Sequence, residues 1–354
     1  MKKSFNIIGL MSGTSLDGLD IALVKFKEKN NNWIFKIVKA ETVNYEPVLI
    51  QKFLTAHLMS ALELKYLEKE FSEFCAKAVN NFTNDISEKF DLIASHGHTV
   101  FHQPEKGMTL QIGDGELIAK RCGINVISDF RSGDVALGGQ GAPLVPIGDE
   151  LLFYDYDACV NLGGFSNISF KNNNKKRVAF DICPVNIVLN HLCQKIGEKY
   201  DENGKIASEN IVNKTLLAEL NDLDYYFKKY PKSLGREWVE KEVFPILEKY
   251  LQTDSVENII STFTIHIAFQ ISENIKNFSK VLFTGGGAYN GFLIKKIEEF
   301  SSVNIVVPDN KIVDFKEALI FAFLGLLRWQ NKINCLASVT GAERDSCCGK
   351  ISFA

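Results

Sequence analysis

Apolar and polar positions change period several times along the chain, and each change marks an element. Phe5–Leu10, Leu19–Phe26 and Trp33–Ala40 are short runs of β-branched and apolar residues, read as three strands. The polar run Lys27–Asn32 is the hairpin loop between the last two. Helical spacing then takes over, first through Leu49, Phe53, Leu54 and His57. It continues through Leu62, Leu64, Leu67, Phe71, Phe74, Cys75, Ala78 and Phe82. Strands follow at Asp91–Ser95, Met108–Ile112 and Ile124–Ser128, with a helix over Glu116–Arg121. Residues 131–146 read as a loop rich in Gly and Pro. The second half repeats the plan, with strands at Ala158–Leu162, Ile168–Phe170 and Val178–Asp181 and a turn at Asn172–Lys176. A long helix covers Glu257–Phe278, a strand Val281–Thr284, and a helix starts at Asn290. Val303–Val307 is a last strand and Phe315–Trp329 a strongly apolar helix. This is an α/β protein. Both halves open strand–Gly loop–strand, so the pattern predicts a duplicated architecture.

Composition narrows the function classes. A chain of 354 residues is long enough for about two domains. Hydrophobic residues make up 46% and charged residues 23%, as in soluble globular proteins. A net charge of -3 with mixed signs offers no basic footprint, which argues against nucleic acid as a partner. The apolar run near the N-terminus is too short for a signal peptide, and no stretch approaches a membrane span. The eight cysteines are scattered without a CxxC pair, which fits a reduced, cytoplasmic setting.

Candidate chemistry concentrates in glycine loops at strand ends, where α/β proteins present ligands. The first is Gly13, Thr14, Ser15, Leu16, Asp17, Gly18, Leu19 and Asp20. Its glycines let backbone N–H groups approach a ligand, and its hydroxyls add donors. Asp17 can hold a divalent cation directly or through water. Those are parts of a triphosphate-and-metal cradle, although no Walker sequence follows, and the same residues also make an ordinary Asp-Gly hairpin. The second loop holds Gly163, Gly164 and Asn167, and the third Gly285, Gly286, Gly287 and Asn290. Together the three predict a nucleotide with phosphates on the first two and adenosine on the third.

Asp181 ends the strand VAFD ahead of a helix. That position suits a general base, and equally a helix N-cap. His96, His98 and His102 cluster at another strand end, where His96 and His98 would share one side of an extended segment. HxH spacing can bind zinc, but a polar ligand-contacting loop or satisfied structural histidines fit better. Arg131 can hold an anionic group by a bidentate contact or make a structural ion pair. Gly138, Gly139 and Gly141 indicate a mobile or tightly bent segment. Glu317, near the start of the apolar helix, is a helix-dipole decoration or, should that helix line the site, a second acid.

The motifs MSGTSLDGLD, SHGHT, QIGDG, DFRSGD with GGQGAPLVP, NLGGFSN, YDENGKIA, PKSLGRE, GGGAYNG, KEALIFAFLG and VTGAERD occur in that order from Met11 to beyond Gly341. In this combination the chain resembles the 1,6-anhydro-N-acetylmuramic acid kinase family, within the sugar kinase, actin and heat-shock-ATPase superfamily. The resemblance implies two actin-like, ribonuclease H-like domains, each a mixed sheet flanked by helices, closing over an ATP and sugar cleft. Domain I would take residues 1–128 with about 318–354, and domain II about 129–317. The resemblance further implies ATP, Mg²⁺, a cytoplasmic homodimer and a place in peptidoglycan recycling. Water would open the 1,6-anhydro ring, and O6 would take the γ-phosphoryl group, giving N-acetylmuramic acid 6-phosphate. Asp181 would be the base, its charged form favoured by N–H groups of the following helix, and Glu317 a second acid. His96, His98, Gln111, Asp114 and Arg131 would meet the sugar. Two departures stand out: Ile182–Asn186 replaces the usual TGPGN, and His98 stands where Gln is commoner. An ordinary sugar or acyl kinase of the superfamily is one alternative. A non-catalytic regulator that binds ATP and a muropeptide is another.

Overall fold

The structure is a computed structural model that describes residues 4–13, 16–30 and 32–354. Its chain divides into two units, Met1–Phe153 with Phe315–Ala354, and Tyr154–Asp314. The sequence-based boundary near residue 128 is thus displaced: residues 129–153 pack with the first unit. The reason is visible in a buried ion pair of that unit, Asp149 to Lys316 at 2.8 Å, which ties 146–152 to the returning C-terminal helix.

Unit 1 is built on strands β1 (Ser4–Ser12), β2 (Leu19–Lys29), β3 (Asn32–Val43), β4 (Leu92–Gln103), β5 (Met108–Ile112), β6 (Val126–Ser128) and, after unit 2, β12 (Lys350–Ser352). The sheet order is β12-β6-β4-β1-β2-β3, with β5 paired to β4. β1, β2 and β3 form an antiparallel meander, whereas β4 runs parallel to both β1 and β6. Helices Pro47–Thr55, Ala61–Thr83 and Gly115–Cys122 share a core with Ile8, Leu10 and Ile93 of the sheet. A capping box at Ser60 and Glu63 starts the longest of them. Helix Asn310–Trp329 packs close to the backbone of β1 and β4. A Cβ on Gly9 would lie 2.0 Å from the Ala318 carbonyl oxygen, and one on Gly325 2.5 Å from Ala94 Cβ. Glycine at both points lets helix and sheet approach more closely than any side chain would permit.

Unit 2 carries β7 (Ala158–Leu162), β8 (Phe165–Lys171), β9 (Arg177–Pro184), β10 (Lys280–Thr284) and β11 (Asn304–Val306), in the order β11-β10-β7-β8-β9. Helices Val256–Ile275 and Gly291–Ser301 bury Phe263, Ile267, Leu293 and Ile297 with Val160 and Phe283 of this sheet. The two sheets share one plan: an antiparallel three-strand meander whose first strand neighbours a parallel strand. That is the repeated architecture expected from the sequence, two mixed sheets flanked by helices.

Three local expectations are corrected. Residues 131–146 are not all loop, since short helices occupy Ser132–Val135 and, from Pro146, Pro146–Leu152. The histidine segment is not a loop but part of the long strand β4. Its His96 and His98 do not share a side: Gly97 at φ 78° breaks the alternation between them, so His96 packs on Phe321 of the C-terminal helix and His98 stacks on Phe53.

Candidate active site

In unit 1 the first glycine loop closes the β1–β2 hairpin, whose last pair is Ser12 with Leu19. Thr14 and Ser15 lie outside the described residues. Leu16 is half-buried against the core and Leu19 fully so, which leaves only their main-chain groups for a ligand. Asp17 is exposed. Asp20 is half-buried and its Oδ1 accepts a 2.6 Å bond from Thr42 Oγ1. A divalent cation bound with a triphosphate takes most of its ligands from water and phosphate oxygens, so one exposed carboxylate on this loop is a fitting protein share. Among the described residues no group of three or more His, Cys, Asp or Glu could hold a metal ion by itself.

Ser12 anchors the hairpin end. Tyr45 Oη donates to Ser12 Oγ at 2.7 Å, and Ser12 Oγ lies 2.9 Å from His98 Nδ1. Burial lowers the His98 pKa to about 4, so the ring is neutral near pH 7. His98 therefore stiffens the base of the loop, a task visible only once Tyr45 and Phe53 are brought beside it.

His96 is buried in a different network. Arg131 Nε donates to its Nε2 at 3.0 Å, which fixes the proton on Nδ1, and Nδ1 then donates to the Gly97 carbonyl at 2.9 Å. Burial first, and the Arg131 charge second, lower its pKa to about 3. Arg131 Nη1 donates to the Gly141 carbonyl at 2.7 Å. Gly141 is in turn held by its N–H to Asp134 Oδ2 at 2.8 Å. A Cβ on Gly139 would stand 2.2 Å from that same Asp134 oxygen. The Gly138–Gly141 run is thus tightly bent around a buried carboxylate, the second of the two readings its sequence allowed.

Glu317 follows the kink at Phe315 (φ -113°, ψ 17°) in helix Asn310–Trp329. Its side chain has accessible surface yet is crowded by protein on most sides. Desolvation raises its pKa, the Arg131 charge opposes that rise, and Asp20 adds to it. Asp20, Arg131 and Glu317 thus form one electrostatic group in unit 1. Gln111 on β5 donates to Thr109 Oγ1 at 2.8 Å, while its buried Oε1 has no partner among the described residues. Asp114 caps helix Gly115–Cys122, with Oδ1 accepting from the N–H groups of Glu116 and Leu117 at 2.9 and 3.2 Å.

In unit 2, register builds the site. Thr284 on β10 pairs with Asn161 on β7, Asn161 with Asn167 on β8, and Asn167 with Asp181 on β9. Paired residues project from the same face, so four polar side chains cross the sheet in a row ending at Asp181. Asn161 and Thr284 escaped sequence reasoning, because only strand register brings them to this row. The buried Thr284 Oγ1 has no partner among the described residues.

Asp181 does not end its strand, as expected, but lies inside β9, which continues to Pro184. Nor is it a helix cap, since helix Asn186–Gln194 is preceded by Val185. The N–H groups of that helix do not reach it either. Val185 and Ile187 donate to the Gly164 carbonyl at 2.8 and 3.2 Å, and Asn186 to that of Gly163 at 3.2 Å. The Gly163–Gly164 turn therefore caps the helix that the Ile182–Asn186 segment opens. Asp181 Oδ2 accepts from Leu234 N–H at 2.9 Å, and Oδ1 has no hydrogen bond among the described residues. Desolvation raises its pKa against that single N–H, the reverse of the expected stabilisation of charge.

The third loop begins at Gly285, φ 82°, where a Cβ would meet Asn161 Oδ1 at 2.7 Å and the Leu162 carbonyl at 2.9 Å. Asn290 caps helix Gly291–Ser301 through a 2.9 Å bond from Leu293 N–H. Beside this loop lies a cavity of about 550 Å³, lined by Gly286, Gly287, Tyr289, Asn190, Tyr200 and Asn203 among others. Its volume falls in the range of small-ligand sites. Asp201 on its wall is engaged by N–H groups of Ile206 and Ala207 at 2.8 and 3.1 Å, so it shapes the wall without being a free carboxylate.

Comparison with known proteins gives this geometry its class. The profile of a family described as Anhydro-N-acetylmuramic acid kinase matches residues 5–354. An anhydro-N-acetylmuramic acid kinase of Francisella tularensis subsp. novicida (strain U112) is 38% identical, covering 98% of this chain and 98% of its own length. One of Clostridioides difficile (strain 630) is 36% identical, covering 98% of this chain and 97% of its own. Among solved structures, a ligand-bound xylulose kinase from Lactobacillus acidophilus aligns at TM-score 0.46 and 13% identity, over 98% of this chain and 93% of that one. The molecule is an ATP-dependent sugar kinase. It belongs to the anhydro-N-acetylmuramic acid kinase family.

Proposed function

We propose that the chain opens the 1,6-anhydro ring of 1,6-anhydro-N-acetylmuramic acid with water and phosphorylates O6 from ATP, in recycling of cell-wall fragments. The observation that carries this reading is Asp181. It is a carboxylate with one oxygen held by Leu234 N–H and the other unbonded, in a polar row, with its pKa raised by desolvation. A base so arranged is stronger than an ordinary aspartate and has an oxygen to spare for water.

Asp181 Oδ1 takes a proton from water as the water oxygen bonds to the anomeric carbon. The bond from that carbon to O6 breaks. O6 then bonds to the γ-phosphorus, ADP leaves, and N-acetylmuramic acid 6-phosphate results. In unit 1, Arg131 offers its remaining guanidinium donors to the sugar's carboxylate, the unpartnered Gln111 Oε1 accepts from a sugar N–H or hydroxyl, and Glu317 is the second acid. The loop from Gly13 to Asp20 holds the triphosphate, with Asp17 the residue for Mg²⁺. When bound, Mg²⁺ neutralises charge on the transferred phosphoryl group. The cavity beside Gly285–Gly287 takes the adenosine. With Gly163 and Gly164 carbonyls engaged by the helix, phosphate contacts from the second loop fall to the remaining N–H groups there and to Asn167.

Family resemblance also supports a cytoplasmic homodimer, which light scattering on the purified chain tests. The reaction is tested by mass spectrometry with ATP, Mg²⁺ and the anhydro sugar in ¹⁸O-labelled water. A product heavier by one phosphoryl group and one labelled water is expected. Phosphorylation without label uptake would instead make it an ordinary sugar kinase.

A further inference from the structure

β9 is the outer strand of its sheet, so the main-chain groups of Asp181 that point away from β8 face the open edge. They are not left to solvent. The Asp181 N–H donates to the Lys232 carbonyl at 3.3 Å. The Asp181 carbonyl accepts from Tyr225 Oη at 2.6 Å. The same segment sends Leu234 N–H to Asp181 Oδ2 at 2.9 Å. Three hydrogen bonds from residues 225–234 thus converge on one residue, two on its backbone and one on its carboxylate. The strap is braced from within. Lys232 Nζ donates to the Tyr225 carbonyl at 3.3 Å and lies over the Tyr225 ring at 4.6 Å and the Phe180 ring at 5.6 Å. Tyr230 stacks on Phe180, one residue before Asp181, at 5.5 Å and 2° between planes. Tyr225 itself is buried against Trp238. The PKSLGRE motif supplies the Lys232–Leu234 part of this strap.

We infer that the segment Tyr225–Leu234 positions Asp181 for catalysis, with Tyr225 as its anchor, fixing which carboxylate oxygen is free to take the proton from water. The inference rests on the reading of Asp181 as the base. Covering an exposed edge would need only the two backbone bonds. The third bond, to Oδ2, occupies one oxygen and orients the other. It also favours the ionised carboxylate, against desolvation. Without the Tyr225 anchor, the strap and the Asp181 backbone separate, and the Leu234 N–H loses its alignment on Oδ2.

The test is the pH dependence of kcat, measured with ATP, Mg²⁺ and the anhydro sugar for the wild type and Tyr225→Phe. Phenylalanine keeps the ring contacts and removes only the hydroxyl. The acid limb of Tyr225→Phe should move to higher pH, with kcat lowered roughly tenfold, the rate equivalent of about one hydrogen bond, and the KM for ATP unchanged. An unmoved limb overturns the inference whether or not kcat falls, because a fall alone reports only edge protection. Should Tyr225→Phe fail to fold, Lys232→Met loosens the brace without touching the hydroxyl, and the same limb must move in the same direction. Asp181→Asn in the same assay separates the two readings. If it turns over, the base assignment falls and the strap's role with it; if it is dead while both strap variants keep the wild-type limb, only the positioning inference falls.

Discussion

A single carboxylate illustrates how far residue identity reaches and where it stops. Asp181 was recognisable as a candidate base from its motif, but its surroundings were not. The N–H groups that would have stabilised its charge are spent on the carbonyls of Gly163 and Gly164, and the N–H it does receive comes from Leu234. Both partners are remote in sequence, and no local pattern announces them. The consequence is a raised pKa, and its sign can be followed through. A carboxyl with a raised folded pKa binds its proton more readily in the folded state, so folding gains nothing from ionising it. Stability is lost as pH rises from the unfolded value, about 3.9, through the folded one. Asp181→Asn, which cannot ionise, should therefore leave Tm at pH 7 unchanged or higher and keep ADP binding. Turnover should fall by at least about 10²-fold, the lower end of base catalysis. Calorimetric melting and product assay check the two halves, and a Tm several degrees below wild type would show the charge to be stabilising after all. In the wild type, kcat should decline as pH falls through a value above the ordinary aspartate range.

At the scale of elements, the alternation of apolar residues located most strands, because a strand's period survives in its own sequence. What it could not give was the extension of β4 past Ser95. His96, Gly97 and His98 look like a polar strand end, yet β5 pairs with β4 from His98 onward and Gly97 reverses the facing of the two histidines. The same holds for the glycine loops. Their positions were legible; their differing uses were not. Gly163–Gly164 is a two-residue turn that caps a helix, whereas Gly285 is demanded by its backbone and by its closeness to Asn161 and Leu162. Gly285→Ala should thus be costly. A residue forced into a sparsely populated conformation loses about 1–3 kcal/mol, and the added methyl must also displace Asn161 Oδ1 or the Leu162 carbonyl. We expect a Tm lower by several degrees and ADP binding weakened about tenfold, read by calorimetry and titration. Gly138→Ala is the matched control for strain without crowding, since nothing lies within 4 Å of its Cβ position at φ 78°. Equal losses from both would assign the whole cost to φ and none to packing.

For the whole molecule, chain order decides which half can stand alone. Unit 2 is one continuous stretch, Tyr154–Asp314, with its own sheet, core and cavity. Unit 1 is split, and its returning piece is not peripheral. Helix Asn310–Trp329 buries Ala318, Leu319, Ala322, Phe323 and Leu326, and Gly9 and Gly325 bring it within close contact of β1 and β4. Lys316 from that helix neutralises Asp149, and β12 completes the sheet beside β6. Residues 1–153 alone would leave Asp149 without its cation in an apolar setting, at about 3–5 kcal/mol for a broken buried pair, besides exposing the sheet. The prediction is asymmetric. A fragment of residues 154–314 should melt cooperatively and be stabilised by adenosine or ADP, because the cavity lies wholly inside it. A fragment of residues 1–153 should show no cooperative transition by circular dichroism. Mixing it with a peptide covering 315–354 should restore one, since that peptide brings back the helix, Lys316 and β12 together. Cooperative melting of 1–153 without the peptide would mean that the first half's sheet and helices suffice for its stability, and that the C-terminal return serves chemistry at Glu317 more than folding.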